Sequence, residues 1–413
     1  MSVNFDSNVS ITVEIAFDSN PLDSSQSFTD VSAYLRSFET NRGRASNLTE
    51  FQTGTAIVEL DNRDNRFSPN QTTHYYDSSN NRSKVQPLKR LRIKAAYDGS
   101  TYTLFHGFVE SFPVNYGGQG SDSTTKIRVV DAFKLFFNST LDGIGWRLGI
   151  SKLGESTTLS LVQAQERSSV RVKNILDSFG YSDQQISTGQ LDVQTQSATD
   201  DLLTALRKIE KAENGTFFIA ADGKATFRDR NYRLTNTTTP DATFGQGGSD
   251  LPYVDIVSSF DDNKIINTVQ RTRTGGSTQI AIDSDSLQRF GSHVLTESGT
   301  LNVSDANALS IAQQKVVSNA IPQTTVESLS FTPQQNTSLW PKALGLDIGS
   351  FVEAKVTTPS STVETYDLFI ERIKHKVSAT NSSWNWSIGL SPAETGAILK
   401  KIKEKTHGRR SMV

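Results

Sequence analysis

Polar and apolar residues alternate along most of the first third of the chain. Within FQTGTAIVELDNRDNRFSP, residues 51–69, Ala56, Val58 and Leu60 share one face of a strand, because successive side chains of a strand point to opposite sides. The same two-residue period appears in further runs at 11–17, 91–97, 102–109 and 126–130. This pattern predicts a small antiparallel, barrel-like β-domain over residues 1–140.

Two local signals complete this first domain. Asp98-Gly99 separates two of the alternating runs, and this pair predicts a tight hairpin in which both residues would adopt positive φ. Asp131 begins DAFKLFFN, whose Phe133 and Phe136 fall on nearly one helical face, so we expect a short helix capped by Asp131.

Residues 141–250 change to a helical period and predict an α+β middle domain. The apolar positions up to Phe179 predict a helix that ends at Gly180, and those of 198–214 predict a second helix. A hairpin through Asp222-Gly223 should follow. The Thr-, Pro- and Gly-rich stretch 236–250 predicts a linker or long loop.

The two-residue period then returns and predicts a second barrel-like domain over residues 251–395. One helix is expected there over 305–317, capped by Ser304. The fold class is therefore mainly β with an α+β middle domain: two related antiparallel β-barrel-like domains flank a small helix-and-hairpin domain. Residues 396–413 form a basic tail. Contact with an acidic partner or nucleic acid is one interpretation of its charge, and a solvated, frayed end is the more common one.

The two β-domains are related by an internal sequence repeat, which we call the echo. The run YTLFHGFVESFPV followed by KIRVVDAF is matched by ETYDLFIERIKHKV followed by WNWSIGLSPA, and Glu110 and Glu371 take corresponding places in the two copies. Chance similarity between two hairpins is the alternative interpretation. A genuine echo would make the two domains variants of one barrel.

Composition excludes several classes of function. A net charge of -2 provides no basic field of the kind that holds nucleic acid. Because the chain has no cysteine, it cannot form disulfides, thiolate nucleophiles or cysteine-ligated metal sites. The start MSVNFDSNVS has neither a basic segment nor an apolar run, and no stretch has the length of a membrane span, so we expect synthesis in a cytoplasm.

No catalytic motif stands out. The five histidines, listed here as His74, His106, His293, His375 and His407, have none of the spacings of metal or hydrolytic sites, and we expect them on strand faces or on the surface. Nucleophile-elbow, phosphate-loop and zinc-protease motifs do not occur. Distant carboxylates could still assemble a site, as in glycosidases. We expect that the protein is not an enzyme and that it has no catalytic, cofactor-binding or metal-binding residue.

The segment after the first quoted strand is a dense turn motif. Calcium binding is disfavoured, because Arg63 and Arg66 occupy positions where a calcium loop needs an oxygen ligand and a glycine. We expect Asp61 and Asn62 to fix the turn, Arg63 or Arg66 to pair with Asp64 or a neighbouring chain, and Phe67 to anchor the exit in apolar contacts.

The motif LDNRDNRFSP resembles a signature of minor tail proteins of long-tailed bacteriophages. Further stretches resemble the same family in the same order: AAYDGSTYTLFHGFVES, VRVKNILDSFGYSDQQISTGQ, LRKIEKAENGTFFIAADGKATFRDR, LGLDIGSFVEAKV and FIERIKHKV. The likeness covers most of the chain, and it implies a distal tail hub, or baseplate hub, at the virion tail tip.

The resemblance also implies partners. Two related barrels per subunit, in a homotrimer, would imitate a six-fold ring and dock on a distal tail protein or tail tube protein. The tape measure protein and central fibre or tip proteins are further candidate partners. DNA would pass only transiently, through a conduit for genome ejection.

A receptor- or glycan-binding tail adhesin is the alternative function. It is suggested by the Ser-, Thr- and Asn-rich loops and by Trp384 and Trp386, which alternate with Asn385 and therefore share a sheet face. Packing of both tryptophans against the barrel core is the more common arrangement. A wall-degrading enzyme is a third class, for which the sequence offers no motif.

Overall fold

One large sheet dominates the fold. The computed structural model describes residues 3–6, 9–139, 162–197, 200–333, 337–379 and 382–393. Fifteen of its strands join into a single sheet.

The first part of the chain is built almost entirely from strands, as its alternating pattern predicts. They are β1 (Val3–Asp6), β2 (Val9–Ile15), β3 (Thr29–Asp30), β4 (Leu35–Gly43), β5 (Gln52–Asp61), β6 (Tyr76–Asp77), β7 (Arg82–Ser83), β8 (Arg90–Tyr97), β9 (Ser100–Ser111), β10 (Val114–Gly117) and β11 (Asp122–Val130), followed by the short helix α1 (Phe133–Phe137). Asp98 and Gly99 both have positive φ in the β8–β9 hairpin, which confirms that turn. Asp131 accepts a hydrogen bond from the Phe133 N–H at 3.0 Å, just before α1.

The middle of the chain combines helices with short strands. Its elements are β12 (Val162–Gln163), β13 (Glu166–Arg167), α2 (Ser168–Phe179), β14 (Gln184–Ile186), β15 (Asp192–Val193), β16 (Gln196–Ser197), α3 (Leu202–Glu213), β17 (Thr216–Ile219), β18 (Ala225–Arg228) and α4 (Tyr232–Thr235). Both predicted helices are confirmed, and α2 ends at Gly180 in the left-handed conformation. Leu206 and Ile209 of α3 pack with Phe217 in a core of their own.

The last part returns to strands. Its elements are β19 (Ala242–Phe244), β20 (Tyr253–Ser259), β21 (Thr268–Arg273), β22 (Gln279–Ile282), α5 (Ser284–Phe290), β23 (Val294–Thr300), α6 (Asp305–Asn319), β24 (Thr325–Phe331), α7 (Trp340–Leu344), β25 (Phe351–Thr357), β26 (Val363–Ser378) and β27 (Ser383–Pro392). Helix α6 begins at its predicted cap, where the Ser304 hydroxyl accepts a hydrogen bond from the Asn307 N–H.

Two sequence predictions for this part are wrong. One helix was expected over 251–395, but the structure has α5 and α7 besides α6, and both are too short for a helical period to appear in the sequence. The stretch 236–250 was expected as a linker or loop, yet it contains β19, which pairs in parallel with β25. The small sheet β22-β21-β23, covered by α6, is inserted between β20 and β24. The tail 396–413 lies outside the described residues.

The predicted fold class is confirmed. Neighbouring strands follow the order β4-β5-β11-β9-β8-β2 in the first sheet region and β20-β24-β27-β26-β25-β19 in the second. We call two strands equivalent when they hold the same place in these two orders. Equivalent strands also follow one another in the same order along the chain. All pairings correspond in direction except the last, which is antiparallel for β2–β8 and parallel for β19–β25. The chain thus contains two copies of one sheet topology, with the middle domain between them in sequence.

Candidate functional site

The two sheet copies are joined edge to edge by β4 and β26. Their antiparallel register runs from Ser37 opposite Ser378 to Gly43 opposite Arg372. Because β27 lines one edge of β26, the other edge is shared by β25 along 363–369 and by β4 along 372–378. Phe38 and Val377 are directly opposite each other in this joint, and both are buried.

Glu371 lies at the point where β26 changes from one partner strand to the other. It forms a β-bulge against β27, and its carboxylate is fully buried. Arg44 donates to it from Nε at 2.7 Å, Arg233 of α4 donates from the opposite side, and the Ser391 hydroxyl of β27 also donates. Burial alone would raise the pKa of Glu371, but the charges of Arg233 and Arg44 lower it to about 2.

Glu371 therefore ties three parts of the chain together as a buried carboxylate. Arg44 follows the end of β4, Arg233 belongs to the segment after the middle-domain hairpin, and Ser391 belongs to the second sheet copy. Sequence analysis identified Glu371 as part of the echo but missed Arg44 and Arg233. No local signal could have found them, since the three residues are far apart in sequence and share no period.

Gly43 is required at the same point. Its φ is +116°, and a Cβ there would lie 2.0 Å from the backbone oxygen of Glu371. That oxygen accepts a hydrogen bond from the Arg44 N–H at 2.9 Å, so the backbones of the two strands meet without room for a side chain. The joint thus depends on a glycine as well as on the buried ion pairs.

The sequence echo corresponds to a repeated backbone geometry. Glu110 is the bulge residue of β9 against β11, as Glu371 is that of β26 against β27. The residue before each bulge makes two backbone hydrogen bonds with the turn that precedes the neighbouring strand. In the first copy Val109 bonds with Leu88 and Lys89. In the second copy Ile370 bonds with Gly349 and Ser350 in the same way. Leu88 and Gly349 even share a positive φ, of 64° and 77°. A shared register, a shared bulge and a shared turn conformation favour duplication over chance.

The turn motif closes one end of the first barrel-like domain. Asn62 is buried; its Oδ1 accepts from the Phe67 N–H at 2.8 Å, and its Nδ2 donates to Ser68. Phe67 is fully buried and contacts Tyr34 and Tyr75.

The charged residues of the motif pair with one another and with β11. Arg66 pairs with Asp64, whose pKa is lowered chiefly by that hydrogen bond. Arg63 lies near Asp61 at 3.5 Å and Asp122 at 3.2 Å. Within the described residues these contacts are made inside one chain, and whether Arg63 also meets a neighbouring chain stays a prediction.

Two histidines lie deeper than their sequence context suggests. His375 is buried on β26 beside Trp386, and burial, together with the nearby Arg42 charge, lowers its pKa to about 3. The Nδ1–H of His106 donates a hydrogen bond to the Asp222 carbonyl at 2.8 Å, which links β9 to the middle-domain hairpin. His407 lies outside the described residues. Burial lowers the pKa of both His106 and His375, so these two rings pack as neutral groups at contacts between elements.

Trp384 and Trp386 are both buried against Phe331 and Trp340 in the core of the second sheet copy. Their shared face is the inner one. They are not available as a platform for sugars.

Two buried carboxyl groups border the middle domain. Asp131 accepts from the Gly54 N–H at 2.5 Å and from Phe133, and burial raises its pKa to about 7. Burial likewise raises the pKa of Glu210 to about 7, although Arg207 is near and the Phe217 N–H donates to it. Each group satisfies backbone donors where elements meet.

One cleft of about 220 Å³ lies between the β4–β5 loop, α4 and α6. The cationic side chains that line it already have partners. Arg44 and Arg233 both pair with Glu371. Lys315 pairs with Glu297 at 2.8 Å, and Arg230 donates to Gln314 at 2.6 Å. We therefore assign no ligand to it.

Two features are absent from the described part of the chain. No group of three or more His, Asp or Glu residues there could hold a metal ion. None of the helices in that part has the length and apolar character needed to span a bilayer.

Solved tail proteins share this architecture. No protein-family model matches the sequence, and no curated protein matches it. The structure is similar to the tail protein from Neisseria meningitidis MC58, with a TM-score of 0.57 and 8% identity over 94% of this chain and 97% of that one. It is also similar to the 43 kDa tail protein of prophage MuSo2 from Shewanella oneidensis, with a TM-score of 0.53 and 11% identity over 93% of this chain and 97% of that one. At these identities the likeness concerns the fold, and the chain has the fold of these tail proteins.

Proposed function

We propose that the chain is a structural component of a bacteriophage tail tip: a hub that docks on the tail tube or a distal tail ring and organises the baseplate. The observation that carries the proposal is the pair of equivalent sheets joined through β4 and β26. Three such chains would present six similar units to a six-fold neighbour. The fold shared with two tail proteins supports the same assignment.

In this role the protein needs no catalytic group. It would form part of the conduit through which DNA leaves, and contact with DNA would be transient because the net charge of -2 provides no general attraction to phosphates. The distal tail protein or tail tube protein would be the principal partner, with the tape measure protein and central fibre or tip proteins as further ones. Buried ion pairs such as Arg44–Glu371 would serve assembly by fixing the geometry of the joint.

The adhesin alternative loses its main support. The tryptophans that suggested a glycan platform are buried, and no other observation on the described residues favours sugar binding. The isolated protein should therefore not bind host cells.

Immunogold labelling of purified virions tests the proposal. Label at the distal end of the tail is expected. Label along the capsid, or particles that lack the chain, would overturn the assignment.

A further inference from the structure

We infer that β20 of one subunit pairs with β10 of the next copy of the chain, repeating between subunits the joint that β4 and β26 make within one. This inference rests on the proposed function, because it supplies the contact through which copies would form a ring. It is argued from the duplicated registers, which identify the counterpart of each joint strand.

Strand β10 is the counterpart of the second half of β26. Counting from the bulge residues Glu110 and Glu371, Ser111 and the residues 114–117 pair with β11 in the register in which Arg372 and the residues 375–378 pair with β27. In β26 the other edge of this half carries β4. In β10 that edge has no partner strand among the described residues. The first sheet copy thus repeats one side of the joint and leaves it open.

Strand β20 is the counterpart of β4. Both are end strands of their sheet copy, and both have a bulge one residue after the start, between Leu35 and Ser37 in β4 and between Tyr253 and Asp255 in β20. The outer edge of β4 is covered by β26, whereas β20 pairs with β24 alone within the described residues. The second sheet copy therefore leaves the other side of the joint open.

The open edges carry apolar residues at positions that correspond to those of the joint between β4 and β26. The buried pair Phe38–Val377 corresponds to Ile256 and Tyr116, and Tyr116 is 62% exposed in the single chain. Val257, 43% exposed, corresponds to Glu39. Exposed apolar residues on an unpaired edge strand invite pairing with another chain, and here both edges carry them.

The open edges lie on different sheet copies, so the contact between chains is head to tail. A head-to-tail contact produces a closed ring if the rotation closes. With the intrachain joint alternating with the proposed joint, three chains would place six sheet copies around one axis. A second copy of this chain is therefore the occupant of both edges.

Engineered disulfides in the purified full chain test the register, since the natural sequence has no cysteine. By correspondence with Lys376 opposite Glu39, Asn115 should lie opposite Val257 of the next copy. Under mild oxidation, N115C combined with V257C should shift the chain to cross-linked dimer and trimer bands that disappear on reduction. N115C combined with D255C is displaced by two residues and should not cross-link, because diagonal neighbours are too far apart for a disulfide.

A second variant keeps the test independent of cysteine chemistry. Tyr116→Asp should convert the trimer to a monomer in mass measurements while the circular dichroism spectrum stays that of the folded chain, because Tyr116 is exposed in the single chain. Ile280→Asp, at an exposed strand residue of the inserted sheet, should leave the trimer intact. Dissociation by Ile280→Asp with no effect of Tyr116→Asp would overturn the inference.

Measuring the mass of the oligomer that the unmodified chain forms distinguishes a failure of this inference from a failure of the function on which it rests. A trimer that fails to cross-link through residues 115 and 257, or that cross-links equally well through 115 and 255, would overturn the proposed joint while leaving the tail-tip assignment in place. Absence of the chain from virions would overturn the assignment itself.

Discussion

Glu110 and Glu371 occupy the same position on two copies of one β-bulge, yet Glu110 is exposed and Glu371 is fully buried. Glu110 faces Lys134 at 3.4 Å on the surface. Glu371 is enclosed because the joint places Arg44 beside it and α4 places Arg233 on its other side. The same local sequence pattern thus supports a solvated carboxylate in one copy and a buried ion cluster in the other.

This pair provides a matched test of the joint. Glu371→Gln should lower the free energy of unfolding by about 3–5 kcal/mol, because it leaves the buried guanidinium of Arg44 and the partly buried one of Arg233 without their counter-ion. Glu110→Gln should cost less than about 1 kcal/mol, as expected for an exposed pair. Urea denaturation followed by circular dichroism measures both. Equal losses in the two variants would contradict the role assigned to Glu371.

The strands and helices with long, regular periods could be predicted from the sequence. The α2 and α3 helices, the Asp98-Gly99 hairpin and the cap at Ser304 depend on neighbours in sequence, so local pattern was sufficient. Short elements were missed for the converse reason: α7 has five residues, fewer than two turns.

The joint could not be predicted in the same way. Which strand covers the edge of β4 depends on backbone groups that every residue carries, and nothing in the side-chain pattern of β4 indicates β26 as its partner. The echo did indicate that Glu110 and Glu371 correspond, but not that only one would be buried. The domain boundaries at 140 and 250 stay predictions.

Gly43 offers a test of close approach between the joined strands. Gly43→Ala should destabilise the protein by at least about 2 kcal/mol more than Gly99→Ala, because both glycines have positive φ but only the Cβ at 43 would collide with a neighbouring backbone. Thermal unfolding of the two variants measures the difference. Similar melting temperatures would mean that the β4 and β26 backbones are farther apart than described.

Asp131 should make stability depend on pH. Its pKa is about 3.8 ordinarily and about 7 in the fold, so between these values the folded protein holds a proton that the unfolded chain releases. Stability should therefore fall as pH rises from about 4 to about 7 and then level off, by on the order of 4 kcal/mol for this group. Asp131→Asn should remove this group's share of the decline in urea titrations at several pH values, and the share that Glu210 contributes should remain. Asp262→Asn, at an exposed site, should leave the decline unchanged.

Phe67 should anchor the turn motif through its burial. Phe67→Ala should cost about 3–5 kcal/mol, because it removes a fully buried ring from between Tyr34 and Tyr75 and leaves a cavity at the end of the first sheet copy. Phe137→Ala is the matched control, since that ring is 62% exposed, and it should change stability by less than about 0.5 kcal/mol. Chemical denaturation of both variants gives the comparison. A small loss for Phe67→Ala would mean that the turn is held by the Asn62 hydrogen bonds instead, and Asn62→Ala would then be the more damaging change.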